Sequence, residues 1–247
     1  MSGRVGSITT DIISDGLVFN IDAANRACYP KTGTTVTDTI DYDKDISNTG
    51  AINNSNDSTF FSTDQKGIFL FDGVDDYILV NGSTNSGLNR PGITNQITLE
   101  AWIYTKTFNN NYERIIARRI AATPLPYMLG LYTTSGNKYS FYLSGTSGYY
   151  GSGDMVSTSN VALNQWVHLV GTSDNVTRKI YINGVLDNTD PYSDGIYSTD
   201  IDLQIGRQLS GGYDYNGDIS AIRIYDRALS AAEVLHNYNA LKGRFGV

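Results

Sequence analysis

The chain has little of what most active sites are built from. Its 247 residues include one cysteine, Cys28, two histidines, His168 and His236, and three glutamates, Glu100, Glu113 and Glu233. A single cysteine excludes an intrachain disulfide framework, and Cys28 reads as a small, partly buried residue rather than a nucleophile. Two isolated histidines and one distant cysteine make neither a nucleophile triad nor a zinc spacing. No glycine-rich stretch runs into a Lys-Ser or Lys-Thr pair, as a phosphate loop requires. No apolar run approaches the roughly 18 residues of a membrane span. The opening MSGRVGSITTDIISDG lacks the apolar core of about 7–15 residues that a secretory signal uses, so folding in a reducing cytoplasm is the expectation. Positive charge is also scarce, with 18 Lys and Arg against 25 Asp and Glu and a net charge of -7. That balance opposes nucleic acid and membrane partners and suits a neutral ligand or a cation.

What is present points to strands and turns. Eighteen tyrosines and 25 glycines accompany only 17% charged residues, and aromatic side chains suit a pleated surface while glycine supplies turn geometry. The length fits one large all-β sandwich. Residues 1–14 are polar and aperiodic and read as an N-terminal anchoring arm, with a single domain over 15–247. A first strand is expected over LVFNID from Leu17, whereas Thr34 to Thr63 is weakly patterned and reads as a long loop. In FLFDGVDDYILV, an alternating strand breaks at Asp72-Gly73 and restarts at Tyr77, leaving a carboxylate-rich turn between two strands. ITLEAWIY alternates strictly: Ile97, Leu99, Ala101 and Ile103 face one way, and Thr98, Glu100, Trp102 and Tyr104 the other, as in a central strand. Further strands are expected near Arg114–Arg118, Tyr127–Thr133, Tyr139–Ser144, Gln165–Thr172, Lys179–Asn183 and Asp202–Gly206. Asn183-Gly184 marks a type I′ hairpin, because both central positions need positive φ. Ser230-Ala231-Ala232-Glu233 is a capping box that starts a short helix. Val234, Tyr238 and Leu241 form its apolar stripe, and Gly243 is placed to stop it. This helix lies across the sandwich edge or serves as a homo-oligomer contact.

The chemistry these residues offer is limited. Retaining glycoside hydrolysis needs two carboxylates about 5–5.5 Å apart. Glu100 has Thr98 and Tyr104 rather than a carboxylate beside it on its face, and Glu233 is used by the capping box, so the chain reads as no enzyme. His168, between Trp166 and Val170, reads as a packed strand residue. A hard cation needs six to eight oxygens, and Asp72, Asp75, Asp76 and Asp218 are the candidate ligands for Ca2+ at the sandwich rim. The same aspartates also suit turns that bond their own backbone. Two Gly/Tyr clusters, SGTSGYYGSGDM and GGYDYNGD, place aromatics in loops. Tyr149, Tyr150, Tyr213 and Tyr215 offer flat faces to sugar rings, and Asp154, Asp214 and Asn216 offer partners for sugar hydroxyls. Packing against a neighbouring loop or subunit is the other reading of these tyrosines.

In this order, FDGVDDYILV, ITLEAWIY, NQWVHLVGTSDNVTRKIYINGVL, LQIGRQ and GDISAIRIYDRALSAAEV resemble the laminin-G-like domains of the concanavalin A-like lectin/glucanase superfamily. The resemblance spans about residues 15 to 240 and implies an all-β, antiparallel jelly-roll sandwich with one short C-terminal helix. In that superfamily calcium, where present, is held by rim loops. The opening LVFNIDAANRACYP and the closing NYNALKGRFGV are most similar to bacteriophage structural versions. What this implies is a non-catalytic virion surface protein, a capsid decoration or tail fibre component. Such a protein is assembled in the host cytoplasm, with other virion proteins and cell-surface glycans as partners. The alternative implied by the same resemblance is a calcium-dependent carbohydrate-binding module or lectin of a bacterium.

Overall fold

The computed structural model describes residues 12–40, 49–53, 60–80, 93, 95–118, 126–134, 136–146, 153–197, 201–208 and 212–247. The strands are β1 (Leu17–Asp22), β2 (Thr35–Thr37), β3 (Thr49–Asn53), β4 (Phe61–Ser62), β5 (Ile68–Asp72), β6 (Tyr77–Val80), β7 (Ile97–Thr105) and β8 (Tyr112–Arg118). They continue with β9 (Tyr127–Tyr132), β10 (Lys138–Leu143), β11 (Met155–Asn160), β12 (Trp166–Ser173), β13 (Thr177–Ile182), β14 (Val185–Pro191), β15 (Leu203–Ile205) and β16 (Asn216–Tyr225). An α-helix, α1 (Ala231–Phe245), follows.

Two antiparallel sheets face each other, as the alternating strands require. The first runs β14-β13-β12-β7-β16-β5-β4, and β1 continues the β5 side of β16, pairing with its second half. The second runs β11-β10-β9-β8-β15-β6-β3-β2. Between them lies the core, to which β7 contributes Leu99, Ala101 and Ile103, and β9 and β10 contribute Leu129, Leu131 and Phe141. The opposite face of β7 is buried as well, because α1 lies over it. Trp102 is stacked under Phe245 at 4.2 Å and Tyr238 at 5.8 Å. Burying a large apolar side chain contributes roughly 1.5–3 kcal/mol, so these rings hold the helix to the sheet.

The helix begins as the capping box dictates, with Ser230 accepting from the Glu233 amide and the Glu233 carboxylate accepting from the Ser230 amide. It does not stop at Gly243. The chain stays helical to Phe245, and Gly246 takes the left-handed cap at φ 72°, its amide bonding to the Lys242 carbonyl. Phe245 must remain on the helix to reach Trp102 and Trp166, the latter at 4.6 Å. Asn183 and Gly184 adopt φ 51° and 79°, as the hairpin requires.

The segment 34–63 differs from the expected loop. It supplies β2 and β3, which extend the second sheet beyond β6, and β4, which edges the first. Edge strands bury little, and here the alternation is too weak to see: β2 buries only Val36. Cys28 is fully rather than partly buried, and burial pushes its thiol up to about 12, so it is inert. Of the expected arm, residues 1–11 lie outside the described residues. Ile12 and Ile13 pack against a cluster containing Leu17, Tyr225, Leu229 and Val234, and the Ile13 amide donates to Asn237 Oδ1 at 2.9 Å.

Candidate functional site

The turn between β5 and β6 is built by its own carboxylates. Asp72 Oδ1 accepts from the amides of Val74 (2.7 Å) and Asp75 (3.3 Å), and Asp76 Oδ2 accepts from the Asp72 amide (2.9 Å). Gly73 has φ +79°, and a Cβ there would stand 1.9 Å from Asn109 Nδ2 and 2.8 Å from Asn216 Cβ. Two neighbouring loops therefore close onto the turn. Asn109 Nδ2 donates to the Gly73 carbonyl (3.1 Å), and Asn216 Nδ2 donates to that of Asp72 (2.9 Å). Glu113, fully buried beneath, accepts from the amides of Asn109 (2.7 Å) and Asn216 (3.2 Å) and ties both loops together. Burial raises its pKa, and these amide bonds oppose the rise.

This framework brings Asp72, Asp75 and Asp76 together, with one ligand atom from each within 4.8 Å of the others. Three converging carboxylates suit a hard cation. Asp214 stands close by. Burial raises its pKa, Arg207 lowers it, and the charges of Asp72 and Asp75 raise it again. Arg207 Nε lies 3.5 Å from Asp214 Oδ1 while its guanidinium covers the Tyr77 ring at 4.8 Å. Asp218 is not a member of this group. It sits within β16 opposite Leu70, and its Oδ1 pairs with Lys106 Nζ at 2.6 Å. Burial raises its pKa and Lys106 opposes that.

Of the residues expected to meet a sugar, Tyr149 and Tyr150 lie outside the described residues. Tyr215 is a core residue: it is fully buried, bonds Thr105 Oγ1 through its hydroxyl at 3.0 Å and packs on Phe71. It offers no face to a ligand. Asn216 is occupied in bracing the β5–β6 turn, and Asp214 is buried against Arg207. Tyr213, half-buried, does remain at the surface. Its ring meets Tyr112 edge-on at 5.7 Å, and Tyr112 meets Tyr132 at 5.1 Å. Arg114 lies against the rings of both Tyr112 and Tyr213 at 5.2 Å. Asp154 is within electrostatic reach: burial raises its pKa, and Arg114 and Arg178 lower it. The sequence held Tyr112 and Tyr132 in plain view at strand ends, yet only their cross-strand pairing places them beside Tyr213.

On the opposite side of the sandwich, under α1, a second polar cluster is completely enclosed. Glu100 Oε1 accepts from Arg223 Nη1 at 2.7 Å and lies 3.3 Å from His168 Nε2, while Oε2 accepts from Asn237 Nδ2 at 2.7 Å. Asn237 also bonds the Tyr225 hydroxyl at 3.0 Å. Arg223 Nε donates to Asn20 Oδ1 at 3.1 Å, and Asp22 bonds Arg244 at 2.8 Å. Burial alone would raise the Glu100 pKa, but the charge of Arg223, with His168 and Asn237, brings it down to about 2. Sequence reasoning found Glu100 and its lack of a neighbouring carboxylate, but not these partners. The available signal was the run of polar and aromatic residues on the outer face of β7.

A family model described as the concanavalin A-like lectin/glucanases superfamily matches residues 72–235. No curated protein sequence matches the chain. Among solved structures, domain 4 of an extracellular arabinanase from Geobacillus stearothermophilus, in complex with arabinotriose, aligns at TM-score 0.63 and 15% identity, covering 90% of this chain and 98% of that domain. Trypanosoma rangeli sialidase aligns at TM-score 0.63 and 14% identity over 92% of this chain and 33% of its own. The binding domain of botulinum neurotoxin serotype G aligns at TM-score 0.64 and 18% identity, over 90% of this chain and 50% of that domain. The chain thus spans about a third of the sialidase and half of the toxin domain. At these identities the likeness is one of fold.

Proposed function

Because the chain belongs to the concanavalin A-like lectin/glucanases superfamily, we propose that it is a non-catalytic recognition protein that binds glycans at the rim where Tyr213, Asp154 and the β5–β6 turn lie. Its fold is of the lectin-like, carbohydrate-binding type, and the arabinanase domain of the same fold is a complex with arabinotriose.

The observation that carries the non-catalytic reading is that all three glutamates are committed to structure. Glu100 is enclosed by Arg223, His168 and Asn237, Glu113 holds two loop amides, and Glu233 is shared between the helix cap and Arg227. The carboxylates that do converge, Asp72, Asp75 and Asp76, are within the separation that retaining hydrolysis uses, but Asp72 and Asp76 bond the turn's own amides. A carboxylate so engaged is poorly placed to move as acid or nucleophile.

The biological setting we propose is the surface of a bacteriophage particle, as a capsid decoration or tail fibre component contacting other virion proteins and cell-surface glycans. Support comes from the resemblance of the opening and closing segments to virion forms. Those two segments meet in space, since Asp22 of the first bonds Arg244 of the second. A calcium-dependent bacterial lectin is the second reading, favoured by the three convergent aspartates. Two measurements test the proposal. A polysaccharide panel assayed for binding and for reducing-end release should give binding without turnover, and turnover abolished by Glu100→Gln would establish an enzyme. Mass spectrometry of purified particles should find the chain, and its consistent absence would favour the free lectin.

A further inference from the structure

We infer that the glycan is a neutral one and that it lies across the tyrosine trio Tyr112, Tyr132 and Tyr213, with the Asp154 carboxylate accepting from its hydroxyls. This inference rests on the glycan-binding reading above and assigns it a sugar class and two further residues, Tyr112 and Tyr132.

The trio is a consequence of strand parity. On β9, Tyr127, Leu129 and Leu131 enter the core, so Met128, Gly130 and Tyr132 face outward. Tyr112 of β8 is the cross-strand partner of Tyr132, and Arg114 is that of Gly130. Gly130 leaves room here. A Cβ on it would stand 2.2 Å from the Glu113 carbonyl and 3.2 Å from Met128 Sδ, the atom that Arg114 Nη1 contacts at 3.3 Å. Arg114 therefore lies flat along the sheet, its Nε bonded to Gln208 at 3.2 Å, and rests against Tyr112 and Tyr213. The backbone fixes the third ring, because the Arg114 amide donates to the Tyr213 carbonyl at 3.1 Å.

All three rings are half-buried, and they are held by edge-on contacts and by the guanidinium, so little freedom is left to lose when a ligand docks. A rigid, partly exposed tyrosine surface is suited to the apolar face of a sugar ring, with its hydroxyls reserved for the rim. Asp154 supplies a complement. Its Oδ1 is buried without a hydrogen-bond partner among the described residues, while its charge is felt by both Tyr112 and Arg114. A carboxylate oxygen lacking a donor is costly, and a sugar hydroxyl docking on this half-buried residue is a donor of the right kind.

Neutrality follows from the charges around the strip. Asp154 is within electrostatic reach of Arg114 and Arg178, Asp214 lies beside Arg207 and feels the charges of Asp72 and Asp75, and Arg178 is already paired with Asp190. A uronate or sialylated chain would meet an excess of like charge, on a molecule of net charge -7.

The test uses the full chain in calcium-free buffer on an array of neutral and carboxylated oligosaccharides, followed by calorimetry on the strongest neutral ligand. We expect neutral sugars to be preferred. Tyr132→Ala and the near-isosteric Asp154→Asn should each weaken that ligand by roughly tenfold or more while the thermal midpoint stays within a few degrees. If no sugar binds, the glycan-binding reading falls and this inference with it. Binding that both variants leave unchanged overturns the placement alone, and preference for carboxylated sugars overturns the neutrality. Should Tyr132→Ala unfold, Asp154→Asn decides the outcome by itself.

Discussion

Replacing Arg223 by methionine should destabilise the sandwich strongly and in a pH-dependent way. The substitution keeps the length of the side chain and removes its charge from a site where Glu100, 0% exposed, depends on it. Glu100 is brought from an ordinary value near 4.5 to about 2 in the folded protein despite its burial. A displacement of that size corresponds to about 3 kcal/mol of preference for the charged form. Removing one partner of a buried pair typically costs about 3–5 kcal/mol, and His168 and Asn237 stay to hold the carboxylate, so the lower end applies. For a chain of this size the thermal midpoint should fall by roughly 6–12 °C. The sign of the pH effect is fixed by the direction of the shift. A carboxylate depressed on folding stabilises fully above its unfolded value and loses that contribution as pH falls from about 4.5 towards about 2. In Arg223→Met the folded value rises, because burial is then less opposed, and the carboxylate is a liability at neutral pH that protonation relieves. The gap between the two proteins, measured by urea denaturation, should therefore be widest at pH 6–7 and narrow below about pH 4.5. Adding Glu100→Gln to Arg223→Met should recover part of the loss. A gap below about 1 kcal/mol that does not change with pH, or a double variant no better than the single one, would refute the reasoning.

Two further outcomes follow from local structure. Ser230→Ala removes the capping hydroxyl that meets the Glu233 amide and carboxylate, and should cost about 1 kcal/mol, read as a fall of about 2–4 °C in the thermal midpoint. If calcium occupies the β5–β6 turn, millimolar Ca2+ should raise the midpoint and chelator should reverse it. Asp75→Asn, which leaves the turn bonds of Asp72 and Asp76 in place, should abolish the rise, and an equal rise in that variant would place the ion elsewhere.

Elements whose signals are local could be read from the residues alone. Alternation in β7 assigned Leu99, Ala101 and Ile103 to the core and Glu100 and Trp102 to the other face, since a strand's side-chain period is two. Asp72-Gly73 and Ser230-to-Glu233 named their turn and cap because each motif satisfies its own backbone groups, and Asn183-Gly184 named its hairpin because both positions take positive φ. Tertiary structure alone decided what long-range pairing decides. Tyr213 and Tyr215 read alike in GGYDYNGD, yet one stands at the rim and the other bonds Thr105 inside the core. Asp218 looked like a rim ligand until the pairing of β16 set it beside Lys106. The edges β2 and β4 bury too little to announce themselves. Glu100, His168, Arg223 and Asn237 come from β7, β12, β16 and α1, and nothing short-range links them. Burial under the helix made that cluster necessary, because a carboxylate removed from water must find its partners wherever the fold brings them.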